Sequence, residues 1–437
     1  MHKRRRLLLA LLAGLVLALA VVAAGCGGDD DGDGGAEGSE DVSGSISVMG
    51  IWVGEEQASF QAVLDGFTEL YPNVEVTYLP AGDEIVTRLS TAIEGGNPPD
   101  LATVAQPGTI ADFAGRGVAL PLDFAEDSAL ENLGESVVET GSVDETLYGV
   151  LFKAANKSTV WYNVPSFEDA GVEPTETWED FLASAETLNQ SGIPAYSIGG
   201  ADGWTLTDLF ENIYIRTAGA EMYDQLAAHE IPWTDQSVKD ALTQMAEVVG
   251  DTDNLAGGRA GALQTDFAGS VAKVLTDSPE AAMVIEGDFV PGTVETTLEA
   301  ETGYNVFAFP SIDGSGPSVV GGGDFVVMFQ DSPAAQALVE YLTTPDAAEI
   351  WAARGGFTSP NQNLDSSVYP DPITQTVAGA VGSAETFRFD LSDLQPSAFG
   401  GTVGQGLFKL FQDFLNNPED VDGITQQMED AAAEAFG

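Results

Sequence analysis

The chain has 437 residues, more than one hydrophobic core usually serves, so two lobes are expected. Its 69 acidic residues against 15 basic ones give a formal charge of −54, which argues against nucleic acid or an anionic membrane surface as a partner of the folded part. A single cysteine, Cys26, and two histidines, His2 and His229, exclude an internal disulfide and argue against Cys/His metal sites and Ser–His or Cys–His catalysis. No metal or other cofactor is predicted.

The N-terminus has the pattern of an export signal. A basic cluster at 3–6 precedes an apolar run over 7–24, and small residues lead to Cys26. This ending resembles a bacterial lipobox, in which Cys26 is lipidated and becomes the first mature residue, although Ala23 stands where that pattern prefers Leu. An uncleaved anchor is the alternative, since the run is just long enough to span a bilayer. We predict a signal peptide over 1–25 and a protein anchored to the outer face of the cytoplasmic membrane.

Glycine and acidic residues dominate the next stretch, 26–44. Such a composition cannot pack, and like charges extend the chain by repulsion. The stretch is predicted to be a tether between the lipidated cysteine and the folded body.

Strand and helix patterns alternate from residue 45 onward. The first five are strand, helix, strand, helix and strand, over 45–51, 54–70, 74–78, 83–94 and 100–104. This alternation predicts a parallel sheet with right-handed crossovers. Because ligands bind at the carboxyl ends of such strands, the loops 52–56 and 106–108 are candidate site loops.

One stretch, 148–165, has the character of a strand that leaves one sheet and enters another. It carries Gly149 and an apolar run in its first half and a polar, aromatic second half. Further crossings are predicted near Tyr304 and Ser332. Elsewhere the patterns predict a helix that starts after Thr177, a strand over 193–198 and a helical tail over 404–436.

Several short motifs in this order resemble the extracytoplasmic solute-binding proteins of ATP-driven carbohydrate importers, the maltose-binding-like family. They look closest to its alpha-glucoside-binding branch. The motifs lie at 157–163, 216–219 with 223–224, 229–233, 351–361, 386–390 and 392–393. The match spans most of residues 46–436.

The resemblance implies an α/β fold of the two-lobed, periplasmic-binding-protein-like type II class. Each lobe is expected to be a mainly parallel sheet flanked by helices, and about three crossing segments join the lobes. The N-terminal lobe is predicted to comprise 45–154 and 304–331, and the C-terminal lobe 155–303 and 332–437. The resemblance further implies a monomeric, non-enzymatic receptor that closes on an oligosaccharide and delivers it to the transmembrane permease subunits of an importer.

A saccharide presents hydroxyl groups on its rim and apolar C–H faces, so its site pairs aromatic platforms with carboxylates, amides and a guanidinium. Trp52 with Glu55 and Glu56 supplies such a set, although Trp52 could pack in the core and the acids also favour the first turn of a helix. Gln106 lies in the second site loop. Trp204 stands in a Gly-rich loop where nothing local needs a large aromatic side chain.

The remaining predicted site residues follow Gly-marked elements or carry a scarce positive charge. Lys157 must reach water, a carboxylate or a ligand, because it lies in a buried crossing strand. Arg354 is assigned to the cleft, and Arg388 to a structural ion pair that would hold Asp390. For Asp288, Phe289, Asp324 and Phe325, turn-forming Asp and core Phe are the alternatives, and Phe357 completes the predicted site.

Two other functions fit parts of the sequence. A secreted glycosidase needs two carboxylates around the scissile bond, and Asp288 and Asp324 could be imagined there, but eight strand–helix units never form. A binder of a cationic solute such as a polyamine, on the same fold, would suit the acidic composition but needs an aromatic box around several acids.

Overall fold

The structure is a computed structural model that describes residues 41–384 and 386–437. The predicted signal peptide, the lipidation site Cys26 and nearly all of the predicted tether lie outside these residues. The strands, in chain order, are β1 (Ser43–Gly50), β2 (Asn73–Pro80), β3 (Leu101–Val104), β4 (Ser142–Val143), β5 (Thr146–Leu147), β6 (Gly149–Asn156), β7 (Thr159–Asn163), β8 (Tyr196–Ser197), β9 (Met283–Glu286), β10 (Tyr304–Ala308), β11 (Ser318–Met328) and β12 (Thr386–Phe389).

Helices fill most of the chain between the strands. In chain order they are α1 (Gly54–Leu70), α2 (Ile85–Glu94), α3 (Pro107–Gly115), α4 (Glu126–Leu133), α5 (Glu135–Thr140), α6 (Val164–Ala170), α7 (Trp178–Ser191), α8 (Trp204–Thr217), α9 (Ala220–Ala227), α10 (Gln236–Val249), α11 (Gly258–Ala262), α12 (Phe267–Ala272), α13 (Val290–Thr293), α14 (Pro333–Leu342), α15 (Pro345–Ala352), α16 (Pro372–Ser383), α17 (Leu391–Leu394), α18 (Ser397–Gly400), α19 (Gly406–Asn416) and α20 (Val421–Phe436). Short 3₁₀ turns occur at Gly82–Glu84, Asp123–Ala125, Thr252–Asn254 and Ser366–Val368.

Local sequence signals explain several of these boundaries. Thr177 is the N-cap of α7, as predicted, because its hydroxyl oxygen accepts the backbone N–H of Asp180 at 3.3 Å. The strand predicted over 193–198 shortens to β8, and the predicted helical tail divides into α19 and α20.

The first sheet contains six strands, in the order β12-β11-β3-β1-β2 with β6 also paired to β11. β1 is parallel to β2 and β3, so the alternation at the start of the chain builds the predicted parallel sheet. β11 runs antiparallel to β3 and β6, and its register with β6 shifts between Asp324 and Phe325. An irregularity of this kind re-aims the side chains around it.

The second sheet has the order β10-β7-β9-β8. Only Lys157 and Ser158 separate β6 of the first sheet from β7 of the second, so the crossing predicted within 148–165 is confirmed. The chain returns between β10, which pairs with β7, and β11. This second crossing therefore lies at 309–317, a few residues after the predicted position at Tyr304.

The chain does not change sheets at Ser332, where a third crossing was predicted. Ser332 is the N-cap of α14, and Leu338 of α14 and Trp351 of α15 join the same buried cluster as Val48 of β1. These helices cover a face of the first sheet because their buried positions are apolar. Residues 304–308 therefore belong with the second sheet, although they were predicted to lie in the N-terminal lobe. Residues 333–352 belong with the first sheet, although they were predicted to lie in the C-terminal lobe.

Both faces of each main sheet are covered by apolar side chains. Two clusters flank the first sheet, one around Trp52 and Trp351 and the other around Phe325. Two more surround the second sheet, and Trp161 and Tyr162 belong to them, as predicted from their place in a strand. Burial on this scale fixes the two sheets as scaffolds for the loops between them.

Candidate functional site

A cavity of about 400 Å³ is lined by loops from both sheets. The first sheet contributes the loops after β1 and β3, at the carboxyl ends of these strands. The second sheet contributes the loop after β9, next to the start of α8. The cavity brings together these residues from the sequence prediction: Trp52, Glu56, Gln106, Lys157, Trp204, Phe289 and Asp324.

The polar residues predicted for the site but placed outside the cavity lining have other partners. Glu55 is exposed in the first turn of α1. Asp288 is buried, where its Oδ2 accepts the backbone N–H of Asn156 at 3.0 Å and the hydroxyl of Thr358. Arg354 is exposed and donates from Nε to the hydroxyl oxygen of Ser59 at 3.0 Å.

Two predicted aromatic residues are also outside the lining, because each packs in a core. Phe325 is fully buried beside Phe389, with ring centres 5.9 Å apart. Phe357 is 1% exposed and stacks on Trp351 at 5.2 Å. Phe389 is distant from Phe325 in the chain, and Phe357, besides its neighbour Trp351, packs on distant Phe152 at 5.5 Å, so the local sequence did not show these core positions.

Trp52 combines a core position with a polar contact at the cavity. Its ring packs on Phe60 at 4.5 Å and on Trp351 at 5.0 Å, and it is 1% exposed. Its indole Nε1 donates to Asp324 Oδ2 at 2.7 Å, which fixes that carboxylate in the wall. Burial raises the pKa of Asp324, while the nearby ammonium group of Lys153 opposes the rise.

Lys153 of β6 is a cavity residue that the sequence analysis missed. Its ammonium group contacts Glu56 and lies 5.3 Å from the centre of the Phe289 ring. Burial alone would lower the pKa of Lys153, but Glu56 and Asp324 outweigh burial and raise it. The sequence did contain a signal for Lys153. A lysine inside a fully buried strand needs a carboxylate, water or a ligand as its partner, and this argument, made for Lys157, applies to Lys153 as well.

The partners of the Lys157 ammonium group are carboxylates. Its Nζ lies 3.2 Å from Asp208 Oδ1 and 3.7 Å from Asp393 Oδ2, and it also contacts Asp390. Burial would lower the pKa of Lys157, yet these acids raise it well above its usual range. The same ammonium group lies 5.5 Å from the ring centre of Trp204, which keeps it at the edge of the cavity.

Three aromatic rings form one wall, which we call the aromatic wall: Trp204, Phe267 and Phe289. Their centres lie 5.0 Å (Trp204–Phe267), 6.1 Å (Trp204–Phe289) and 5.3 Å (Phe267–Phe289) apart, and all three are half-buried. Partial exposure inside a cavity leaves part of each ring accessible to a ligand.

Gly203 explains how Trp204 reaches this wall. Its φ of +89° is a left-handed conformation, and a Cβ atom there would come within 2.9 Å of the Cα of Phe408. A glycine at this turn therefore lets α8 start against α19 and present Trp204 to the cavity.

Three acids, Asp83, Asp202 and Asp266, line the cavity around Phe267. Asp202 Oδ2 accepts the backbone N–H of Phe267 at 2.6 Å, and Asp266 caps α12 through Gly269 N at 2.7 Å. The Asp83 side chain is exposed, but partial desolvation by the surrounding cleft, together with the charges of Asp202, Glu56 and Asp266, raises its pKa to about 6. None of the three has an ion pair with a basic side chain of residues 41–384 or 386–437.

Arg388 forms a structural ion pair, but with Asp224 and not with Asp390. Its Nε and Nη2 donate to the two carboxylate oxygens of Asp224, at 2.5 and 2.9 Å, and its Nη1 donates to the carbonyl oxygen of Phe387 at 2.8 Å. In the described part of the chain, no group of three His, Cys, Asp or Glu side chains could hold a metal ion. Among the helices of these residues, none has both the length and the apolar composition that a bilayer crossing requires.

A family model for bacterial extracellular solute-binding proteins matches residues 52–349. The osmoprotective compounds-binding protein GgtB of Synechocystis sp. is 34% identical over 85% of this chain and 90% of its own length. The alpha-glucosides-binding periplasmic protein AglE of Rhizobium meliloti is 32% identical over 83% of this chain and 81% of its own.

Solved structures share the architecture. The bacterial solute receptor AcbH superposes with a TM-score of 0.79 at 19% identity, over 90% of this chain and 99% of that one. The GacH receptor of Streptomyces glaucescens gives a TM-score of 0.69 at 16% identity, over 90% and 99%. At such identities the likeness concerns the fold, which is the two-lobed α/β fold of these receptors. With the family match and two relatives aligned over most of their length, the chain belongs to the bacterial extracellular solute-binding proteins and is a binding protein rather than an enzyme.

Proposed function

We propose that the protein is the receptor of an ATP-driven importer and binds an oligosaccharide, specifically an alpha-glucoside, in the cavity between the two sheets. The observation that carries this proposal is the aromatic wall, Trp204, Phe267 and Phe289, together with the Lys153–Glu56 ion pair beside Phe289. Ring faces suit the C–H surfaces of a pyranose, and fixed charges suit its hydroxyl groups. A volume of about 400 Å³ is within the usual range for a small-molecule site.

The name of one relative supports the same ligand class. AglE is named for alpha-glucosides, and GgtB for osmoprotective compounds. Both align with this chain over more than four-fifths of their own length.

Lobe closure is the proposed binding movement. The sheets are joined by the two-residue link Lys157–Ser158 and by 309–317, and short links of this kind let two scaffolds rotate around a ligand. A closed receptor presents a different surface to the permease than an open one, which is how the permease would distinguish the loaded state. We propose that the receptor acts as a monomer held to the membrane through lipidated Cys26.

A cationic solute is the second candidate. Asp83, Asp202 and Asp266 place carboxylates beside the aromatic wall, and aromatic rings with carboxylates also bind amines. An amine would pair with these acids, whereas a sugar would bind at the Lys153–Glu56 side as well.

Titration calorimetry of the purified protein with maltose, trehalose, sucrose, glucosylglycerol and spermidine tests the two candidates. We expect saturable heat with at least one glucoside and none with spermidine. Heat with spermidine and with no sugar would overturn the glucoside assignment in favour of the cationic solute. The anchor is tested separately, since Cys26→Ser should move the protein from the membrane fraction to the medium.

A further inference from the structure

A second cavity, of about 440 Å³, lies beside the crossing over 309–317. We call it the crossing cavity. In the part of the chain that the structure describes, it shares no lining residue with the cavity between the two sheets. Its walls come from α8, from the segment before α7, from the end of β10 and from the crossing itself. The lining consists of 174–176, 307–309, 311, 315–317 and Arg216.

Arg216 is the cation of the crossing cavity, and it is buried without a carboxylate partner. Three basic side chains are buried in residues 41–384 and 386–437, namely Lys153, Lys157 and Arg216, which is 7% exposed. Both lysines contact carboxylates. No acidic side chain of the same residues lies within 4.0 Å of the Arg216 guanidinium. In a chain with 69 acidic residues, this buried positive charge is left for something else to neutralise.

The guanidinium group also has one N–H without an acceptor. Its Nη1 donates to the carbonyl oxygen of Asn212 at 3.0 Å and to Asn212 Oδ1 at 3.1 Å. Its Nη2 donates to the carbonyl oxygens of Ser318 at 2.7 Å and Phe309 at 3.4 Å. These bonds use the four Nη hydrogens, and no described residue accepts a hydrogen bond from Nε.

Thr175 supplies a second donor without an acceptor. Its Oγ1 is buried and has no hydrogen-bond partner in the described part of the chain. Buried hydroxyl groups are nearly always hydrogen-bonded, because an unbonded one loses its water without replacement. Since Thr175 and Arg216 line the same cavity, one ligand with two acceptor oxygens serves both donors.

The walls of the crossing cavity are held in place by main-chain hydrogen bonds. The Ser311 N–H donates to the carbonyl oxygen of Glu176 at 2.9 Å, and the Trp178 N–H donates to the carbonyl oxygen of Ser311 at 2.9 Å. Phe307 and Pro317 add apolar surface to the lining. A ligand that suits this cavity therefore combines negatively charged acceptor oxygens with an apolar body.

Glu176 is the one acid in the described lining, and its charge opposes an anion. The residue is exposed, and its carboxylate forms no ion pair with Arg216. Water and salt screen an exposed charge, whereas a buried charge such as that of Arg216 is screened much less. The charge of Arg216 therefore dominates inside the cavity, and the opposing charge of Glu176 can be removed in a variant.

We propose that the crossing cavity is a second binding site, for a small carboxylate with an apolar body such as an aromatic acid. One carboxylate oxygen accepts the Nε–H of Arg216, and the other accepts the hydroxyl group of Thr175. The ligand then balances the positive charge that no acid of the described chain neutralises. The inference goes beyond the proposed function, and it holds whichever solute binds between the two sheets.

Thermal unfolding of the sugar-free protein tests the proposal, with benzoate as the probe. Benzoate replaces chloride at a constant sodium concentration of about 0.15 M, so the screening of the other acids stays the same. We expect Tm to rise with benzoate as binding to one site requires. Benzamide, which has nearly the same shape and no charge, should give no rise. No rise with benzoate, or an equal rise with benzamide, would overturn the proposal.

Two variants locate the bound carboxylate. Arg216→Gln should abolish the effect of benzoate, measured against the Tm of that variant without benzoate. Thr175→Val keeps the side-chain shape and removes the hydroxyl group, so calorimetry should give a Kd weaker by roughly tenfold. An undiminished effect of benzoate in Arg216→Gln would place the ligand elsewhere and sink the proposal. If Arg216→Gln fails to fold by circular dichroism, Thr175→Val decides in its place, and an unchanged Kd in it counts against the site.

Glu176→Gln and Glu179→Gln form a matched pair. Each removes one exposed negative charge, but only Glu176 lines the crossing cavity. We expect Glu176→Gln to tighten benzoate binding by up to about fivefold and Glu179→Gln to leave Kd unchanged. Equal Kd values in the two variants, or weaker binding in Glu176→Gln, would contradict an anion in this cavity.

Discussion

Arg216 Nη2 lies 2.7 Å from the carbonyl oxygen of Ser318, the first residue of β11. The same nitrogen is 3.4 Å from the carbonyl oxygen of Phe309, at the other end of the crossing over 309–317. A side chain of α8, beside the second sheet, thus holds both ends of a link to the first sheet. Burial lowers the pKa of Arg216 to about 9, so the guanidinium stays charged at neutral pH.

Arg216→Ala should destabilise the fold, because the carbonyl groups of Phe309 and Ser318 lose a charged donor. We expect the free energy of unfolding to fall by about 2 kcal/mol in urea denaturation. Arg88→Ala removes an exposed ion pair with Glu84 and should change it by less than about 1 kcal/mol. Equal losses in both variants would mean that Arg216 does not hold the crossing.

Lys153→Met should cost more stability than the loss of a surface ion pair. It leaves Glu56 and Asp324 without their cation, and breaking a buried pair costs about 3 kcal/mol or more. Lys239→Met, which breaks an exposed pair with Asp422, is the matched control and should cost less than about 1 kcal/mol. Chemical denaturation of both variants gives the comparison, and a Lys153→Met protein as stable as the control would refute the buried pair.

Trp204→Ala should weaken ligand binding without unfolding the protein. Trp204 is half-buried and supplies a face of the aromatic wall, so we expect a loss of about 2 kcal/mol, or roughly thirtyfold in Kd. Phe387→Ala removes an exposed ring outside the cavity lining and should leave Kd unchanged. Calorimetry would count against the aromatic wall if Trp204→Ala bound as tightly as the Phe387 variant.

Asp83 should make stability depend on pH. Its pKa rises from 3.8 to about 6 in the fold, so the folded state holds the proton more tightly than the unfolded chain does. Stability is therefore lost as pH rises from about 4 through 6, and the penalty remains above this range. Asp83→Asn should match wild type in acid and exceed its Tm at neutral pH.

The control for this experiment is Asp65→Asn, an exposed carboxylate on α1. Its Tm difference from wild type should stay constant across the same pH series. A constant difference for Asp83→Asn as well would show that Asp83 titrates normally.

Much of this architecture follows from local sequence. The strand–helix alternation predicts the parallel β1, β2 and β3, and the change of character around Lys157 locates the first crossing. The positions predicted for the later crossings were wrong. The position of a crossing depends on which sheet β10 and α14 pack on. That depends on residues far away in the chain, such as Trp161 opposite Val306.

The residues of the cavity could be predicted from the sequence less well than the fold. Trp204 stood out because nothing around it in the sequence needs a large ring, and it does line the cavity. The partners of Lys157 did not stand out, since Asp390 and Asp393 are two of many acids and lie more than two hundred residues away. In a chain with 69 acidic residues, only the fold distinguishes a buried carboxyl group from a solvated one.

A crystal structure with a bound glucoside tests the central claim most directly. The account predicts the sugar ring against the aromatic wall of Trp204, Phe267 and Phe289, with its hydroxyl groups toward Glu56 and Gln106. A glucoside bound elsewhere on the protein, with this cavity filled only by water, would contradict it.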